Sequence, residues 1–402
     1  MHVKDFIQVV FVVLRGDCFR TLATYIHRVG DYHFLELLIL LENEVFLMKI
    51  LQVCPRYYPY FGGVEEHVRN ISQRLAEKHE VTVATMDPSV KLPKEEVIDG
   101  VKIKRFREMY YFSKDLRNYL IKNSDSFDVV HAHSYHAFPV LYAAQAKGRN
   151  KLVFTPHYHG VGHTFFMNLL HIPYELLGRR IFEKADKIIC VSNYERSLVM
   201  KRFKVDEKKV VVIPNGINLE EFKCLKKRSK GCKVILYVGR LEKYKRVNYL
   251  IKALSKLDDD IYLEIVGKGL YKKKLVKLIN KLGVRSRIKF YQDLPRKDLL
   301  QKYADADLVV SLSKFEAYSL TIAEALTAGT PCIVADTSAL TEWVDNDNCF
   351  GISYPINVDE LSKLVNHVIR SNNRGYLRKP TREKIQDWNE VVERLETIYN
   401  FG

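Results

Sequence analysis

Two carboxylates in KFEAYSLTIAEALTAGTPCIVAD, Glu316 and Glu324, stand eight residues apart among apolar and small side chains. On one helix they would lie about 80° apart around the axis and about 12 Å apart along it, roughly the span of a sugar, a diphosphate and part of a ribose. ADLVVSL, just before them, reads as a strand. Glu316 then follows a strand's carboxyl end, and the amides of Ala317, Tyr318, Ser319 and Leu320 open the next helix toward the same side. An anion docked on those amides would have Glu316 beside sugar hydroxyls and Glu324 within reach of a ribose diol. In isolation, a capping glutamate and an unrelated helical one explain the pair equally well.

Other strand-end loops carry matching chemistry. PYFGGVEEHV puts Gly62 and Gly63 between strand and helix, where freed backbone N–H groups can approach a phosphate or a sugar, or simply make a tight turn. Arg240 ends LYVGR and Lys245 follows five residues later, two cations able to neutralise a departing diphosphate. Within a lysine-rich run they also suit a solvated face. IVGKG places Gly267 and Gly269 after a further strand, for a close backbone pass or a plain turn. His131, His133, His136, His157, His159, His163 and His171 fall within 41 residues, and the first two share a strand face. A zinc site is one reading, and strand-end contacts with packing histidines the other. No acidic or thiolate partner interleaves at metal spacing, so no metal is expected.

The elements that must position these groups alternate. KILQVC, EVTVAT, VKIKRF, FDVVHAH, KLVFT, DKIICVS and VVVIP are short β-branched runs, with helical stretches such as VEEHVRNISQRLAEK, HAFPVLYAAQAK and NYERSLVMKRF between them. PNG at 214–216 reads as a turn, and the basic FKCLKKRSKGCK as a linker. The alternation restarts with KVILYVGR, IYLEIVGKG, IKFY, ADLVVSL and PCIVAD. Two such runs predict an α/β protein of two doubly wound Rossmann-like domains facing across a cleft, with ligands at the strands' carboxyl ends. We expect the domains at 48–220 and 221–380, with 381–402 as a closing helix. Residues 1–47 hold two apolar bursts, FIQVVFVVL and FLELLILL, without a cleavage site. Met48 is the expected start, and 1–47 a prepended reading frame or loose leader; a membrane-surface anchor is the alternative.

At 402 residues with 47% hydrophobic and 28% charged content the chain is a folded protein too long for one core. Its net charge of +16 is spread over both halves. That excess suits nucleotide phosphates or an anionic membrane face. No zinc-finger spacing, basic helix or basic-aromatic module is present, which argues against nucleic acid. Seven cysteines without a C-x-x-C pair point to a reducing, cytoplasmic setting.

Taken together, PYFGGVEEHV, DVVHAHS, TPHYHG, VSNYERSLV, VIPNGI, YVGRLEKYKRV, IVGKG, the long ADLVVSLSKFEAYSLTIAEALTAGTPCIV and SALTEWV resemble, in order and spacing, a family 4 retaining glycosyltransferase of the GT-B fold. The resemblance implies transfer of a hexosyl group from a UDP- or GDP-linked sugar to a hydroxyl acceptor, with no metal and no cofactor. It implies that Gly62 and Gly63 lie near the transferred sugar and that His157 lies near its anomeric carbon. Arg240 and Lys245 would hold the diphosphate, Glu316 the sugar hydroxyls and Glu324 the ribose, and the last helix would cross back onto the first domain. This chain departs from the family pattern at Arg246 and at Ala317, Tyr318 and Ser319, where relatives often carry glycine or phenylalanine. An epimerase of the same fold and a catalytically silent sugar-nucleotide-binding module are the alternatives. HTFFMNLLHIPYELLGRRIFEK, with Arg179, Arg180 and Lys184, is either an inward-packed helix or a surface for a lipid-linked acceptor on the inner membrane face.

Overall fold

The computed structural model describes residues 47–109, 112–160, 178–228, 231–371 and 384–400. The expectations for residues 1–46, His163, His171 and most of the HTFFMNLL stretch fall outside them. Among the described residues, no helix is long and apolar enough to cross a membrane.

The first sheet has eight strands: β1 (Lys49–Cys54), β2 (Glu80–Asp87), β3 (Glu95–Ile98), β4 (Val101–Arg107), β5 (Val129–His133), β6 (Lys151–Thr155), β7 (Lys187–Cys190) and β8 (Val210–Val212). Their order is β3-β4-β2-β1-β5-β6-β7-β8, with only β3 antiparallel to its neighbour. Helices α1 (Gly63–Leu75), α2 (Lys114–Asn123), α3 (Phe138–Gln145) and α4 (Asn193–Phe203) join its strands. The side-chain alternation of a strand divides the core between the sheet's two faces. Along β1, Leu51 and Val53 pack with residues of α2 and α3, whereas Ile50 and Cys54 pack under α1.

Gly216–Ile217 forms a ninth strand, β9, where PNG reads as a turn. The second sheet is wholly parallel, in the order β12-β11-β10-β13-β14-β15. Its strands are β10 (Lys233–Val238), β11 (Ile261–Val266), β12 (Ile288–Tyr291), β13 (Leu308–Ser311), β14 (Cys332–Ala335) and β15 (Cys349–Ile352). They alternate with α5 (Val247–Leu254), α6 (Lys272–Leu282), α7 (Arg296–Asp305), α8 (Leu320–Thr327) and α9 (Val358–Arg370), and one apolar cluster fills the layers between. A short strand, β16 (Gln386–Asp387), pairs with β9 and leads into α10 (Trp388–Asn400).

Helix α10 buries Trp388, Val391, Val392, Leu395 and Tyr399 on the face of the first sheet that α1 covers. The spacing is that of one helical stripe, and each such side chain contributes roughly 1.5–3 kcal/mol when fully buried. In each sheet the chain reverses its winding beside the first strand, between β1 and β5 and between β10 and β13. Strand-end loops diverge at such points and leave a crevice. Gly62 follows β1, His133 ends β5, Arg240 and Lys245 follow β10, and Glu316 follows β13. All of them therefore flank the two crevices.

Candidate active site

On the second domain, Lys245 is ion-paired with Glu316, and both side chains are mostly buried. The Arg240 guanidinium donates to the Tyr244 hydroxyl at 2.9 Å, and Arg240 is exposed. The Glu316 amide donates to Ser338 Oγ at 3.1 Å, and its carbonyl accepts from the Ala339 amide at 3.3 Å, so the loop carrying the carboxylate is tied down at both ends. Helix α8 begins at Leu320, not at Ala317, so Glu316 stands outside it. The cause is local. Tyr318 is buried against Trp343, whose indole N–H donates to the Tyr318 carbonyl at 2.8 Å, and Ser319 is left-handed at φ 85°. Ala317 and Tyr318 thus form the loop, Ser319 caps the helix, and Leu320 starts it.

Glu324 lies inside α8, buried and ion-paired with Arg296, which also holds Glu221 at 2.8 Å. Burial raises the Glu324 carboxyl above its usual range, while Arg296 pulls it back. A ribose diol reaching Glu324 would share it with that guanidinium. Gly267 has φ 147°, and an added Cβ would meet the Gly239 carbonyl oxygen at 2.0 Å, so the β10 and β11 loops touch backbone to backbone there. Gly269 is similarly close, with a Cβ falling 2.3 Å from the Leu241 carbonyl oxygen.

On the first domain, Gly62 caps α1, and Gly63 has open space where a Cβ would stand. Beside them, burial raises the Glu65 carboxyl, opposed by the positive charges of Arg56 and of Arg240 from the second domain. His157 is left-handed at φ 48° in the loop after β6, a costly conformation for a residue with a Cβ. Burial holds its imidazole well below the usual value, with His67 and His131 adding to the effect. Two residues on, the His159 ring stacks on Phe315 of the second domain, with centroids 6.3 Å apart. The loops bearing His157 and Glu316 therefore meet across the crevices.

Several residues of this site carry no signal in the sequence reading. Glu195, the third residue of α4, is fully buried; its carboxylate accepts from the Val191 amide at 2.6 Å and from the amide of Tyr158, the residue after His157. It pins the His157 loop, and burial pushes its carboxyl up to about 8 in spite of those two donors. His67 in α1 is buried; its Nδ1 bonds Asn215 Oδ1 at 2.8 Å, and burial lowers it to about 4. Gln52, fully buried, donates from Nε2 to the Tyr399 hydroxyl at 3.4 Å and accepts on Oε1 from His133 Nε2 at 2.7 Å. His131 lies 2.7 Å from the same hydroxyl through Nδ1 and 2.8 Å from Thr155 Oγ1 through Nε2. The i, i+2 spacing of His131 and His133 foreshadows their shared face; their distant partners leave no mark in the sequence.

Residues 61–221 match the family described as Glycosyltransferase Family 4, and residues 220–388 match Glycosyl transferases group 1. The chain belongs to the group 1, family 4-type glycosyltransferases. This glycosyltransferase is 28% identical over 387 residues to an uncharacterized glycosyltransferase of Methanocaldococcus jannaschii, covering 88% of this chain and 98% of the relative. It is 24% identical over 380 residues to the phosphatidylinositol N-acetylglucosaminyltransferase GPI3 subunit of Saccharomyces cerevisiae, covering 87% and 82%. In structure, it is similar to Anabaena HepE, solved in complex with UDP and glucose, at a TM-score of 0.72, 20% identity, and coverage of 87% of this chain and 99% of that one. The fold of this glycosyltransferase is GT-B, two Rossmann-like domains joined into one transferase.

Proposed function

We propose that this glycosyltransferase moves a hexosyl group from a nucleotide-diphospho-sugar, UDP- or GDP-linked, to a hydroxyl acceptor with retention of configuration. The observation that carries the reading is the meeting across the crevices of the Glu316 loop, whose carboxylate pairs with Lys245, with the His157 loop, and of Arg240 with Glu65 beside Gly62 and Gly63. Arg240 and Lys245 stabilise the charge that develops on the leaving diphosphate, and Glu316 orients the sugar while sharing its charge with Lys245. The leaving phosphate oxygen takes the acceptor's proton, so the transfer needs neither a protein nucleophile nor a metal on the diphosphate. Closure of the crevices excludes water that would hydrolyse the donor. The UDP seen on HepE supports a nucleotide-sugar donor. An inositol lipid in the name of the yeast relative, together with a net charge of +16, supports a lipid-linked acceptor at an anionic membrane face.

Nucleotide release from a panel of UDP- and GDP-sugars, without and with simple glycoside or lipid-linked acceptors, tests the reading. The wild type releases nucleotide from at least one donor, and Glu316→Ala does not. No release from any donor by the wild type would leave a silent binding module, and conversion of the donor to its epimer would make the protein an epimerase.

A further inference from the structure

Three imidazoles meet on the floor of the first domain from three separate elements: His67 from α1, His133 from the end of β5 and His157 from the loop after β6. Their ring centroids lie 5.0 Å (His67–His157), 5.4 Å (His67–His133) and 5.9 Å (His133–His157) apart. Each ring keeps one buried nitrogen with no hydrogen-bond partner: His67 Nε2, His133 Nδ1 and His157 Nε2. One nitrogen from each ring lies within 4.8 Å of the others. Buried polar atoms are nearly always satisfied, so three orphan nitrogens on three neighbouring rings call for a shared partner.

The opposite nitrogens identify its chemistry. Asn215 Oδ1 can only accept, so His67 Nδ1 carries the proton and Nε2 presents a lone pair. Gln52 spends its Nε2 on the Tyr399 hydroxyl and turns Oε1 to His133, so His133 Nε2 carries the proton and Nδ1 presents a lone pair. Neutral imidazoles whose second nitrogen is fixed by an acceptor are the usual form of a metal-bound histidine. We propose that His67, His133 and His157 bind one divalent transition-metal ion of the zinc type, and that the bound ion inhibits the enzyme by holding His157.

An all-nitrogen set suits zinc, cobalt, nickel or copper and disfavours magnesium and calcium, which take oxygen ligands. Three histidines with a fourth position left open is a recurrent zinc arrangement. Tetrahedral bonds of about 2.0–2.1 Å place ligand nitrogens about 3.4 Å apart, so the rings draw in by about 1 Å on binding. His157, in a loop and in a conformation its neighbours must enforce, is the ligand that moves. The binding half of the inference stands apart from the proposed reaction; the inhibitory half rests on it.

The test uses full-length, untagged, chelator-treated protein titrated with Co²⁺, then displaced by Zn²⁺. The expected result is one ion per chain, the visible bands of tetrahedral Co²⁺, and a loss of zinc affinity of at least tenfold in His67→Gln and about 10–100-fold in Asn215→Ala. X-ray absorption at the zinc edge of the wild type counts the imidazoles directly, so the inference stays testable if a variant fails to fold. Three imidazoles support the site. Fewer, sulfur ligation, or equal affinity in wild type and a folded His67→Gln would overturn it and leave water between the rings. One equivalent of zinc is expected to suppress nucleotide release by the wild type; binding with undiminished release would overturn the inhibitory half alone.

Discussion

Replacing Glu195 by glutamine removes a titrating group from the interior while keeping its bulk. The carboxyl is fully buried and is pushed from its usual 4.5 to about 8. The folded protein therefore holds this proton more tightly than the unfolded chain. The stability this contributes is complete below the unfolded value and is lost as pH rises through the folded one. Between about pH 6 and pH 8.5 the loss comes to about 2–3 kcal/mol, or about 5–10 °C in the melting of a domain this size. Glutamine has one acceptor oxygen, so it can serve the Val191 amide or the Tyr158 amide but not both. The variant is thus expected to lose the pH slope and, with Tyr158 unheld, to release nucleotide more slowly because His157 is no longer fixed. Its KM for the donor is expected to change less than its kcat. Thermal scans at several pH values across that window measure the first effect, with Trp388 reporting the first domain and Trp343 the second. Parallel curves for wild type and Glu195→Gln would show that the Glu195 carboxyl does not titrate between the folded and unfolded states in this window.

Three further outcomes are expected. Lys245→Ala should lower kcat for nucleotide release by about 10²–10³-fold while the protein stays folded, because in the proposed reaction Lys245 stabilises the charge on the leaving diphosphate; steady-state kinetics and circular dichroism check both parts. Gly267→Ala should destabilise the second domain by about 1–3 kcal/mol or more, since the new Cβ meets backbone, not a movable side chain, at a φ that disfavours it; the Trp343 melting transition reads this. His67, held at about 4 against a usual 6.5, opposes Glu195 on the acid side. The unfolded chain binds that proton more tightly, so stability falls as pH drops through the window, by about 2 kcal/mol at about pH 5. The wild type minus a folded His67→Gln difference, measured from pH 7 to pH 5, isolates it.

Local chemistry explains what was legible. Runs such as KILQVC and KVILYV are largely apolar on both strand faces because both faces are covered, and their alternation with helical runs, restarted once, implies two parallel sheets. Once the sheets exist, their winding reversals select the loops of Gly62, Arg240, Lys245 and Glu316. The rest depends on partners far away in the chain. His67 looks like one more position of an amphipathic helix until Asn215, 148 residues on, bonds its ring. Glu195 reads as an ordinary charge in the first turn of a helix, yet its carboxylate turns inward to a loop 37 residues earlier. Asn215 hides in a turn motif, and Arg296, which neutralises Glu324, hides in the helical run RKDLLQKYA. Helix α8 starts at Leu320, later than the sequence suggests, because Ser319 takes a left-handed conformation that its residue type does not advertise.

A crystal structure of the protein with a non-transferable nucleotide-sugar analogue bears most directly on the shared crevice. The diphosphate is expected within hydrogen-bond reach of Lys245 and Arg240, the sugar hydroxyls on Glu316, and the reacting carbon facing the His157 loop of the other domain. A donor bound wholly to one domain, with its sugar turned away from both His157 and Glu316, would contradict it.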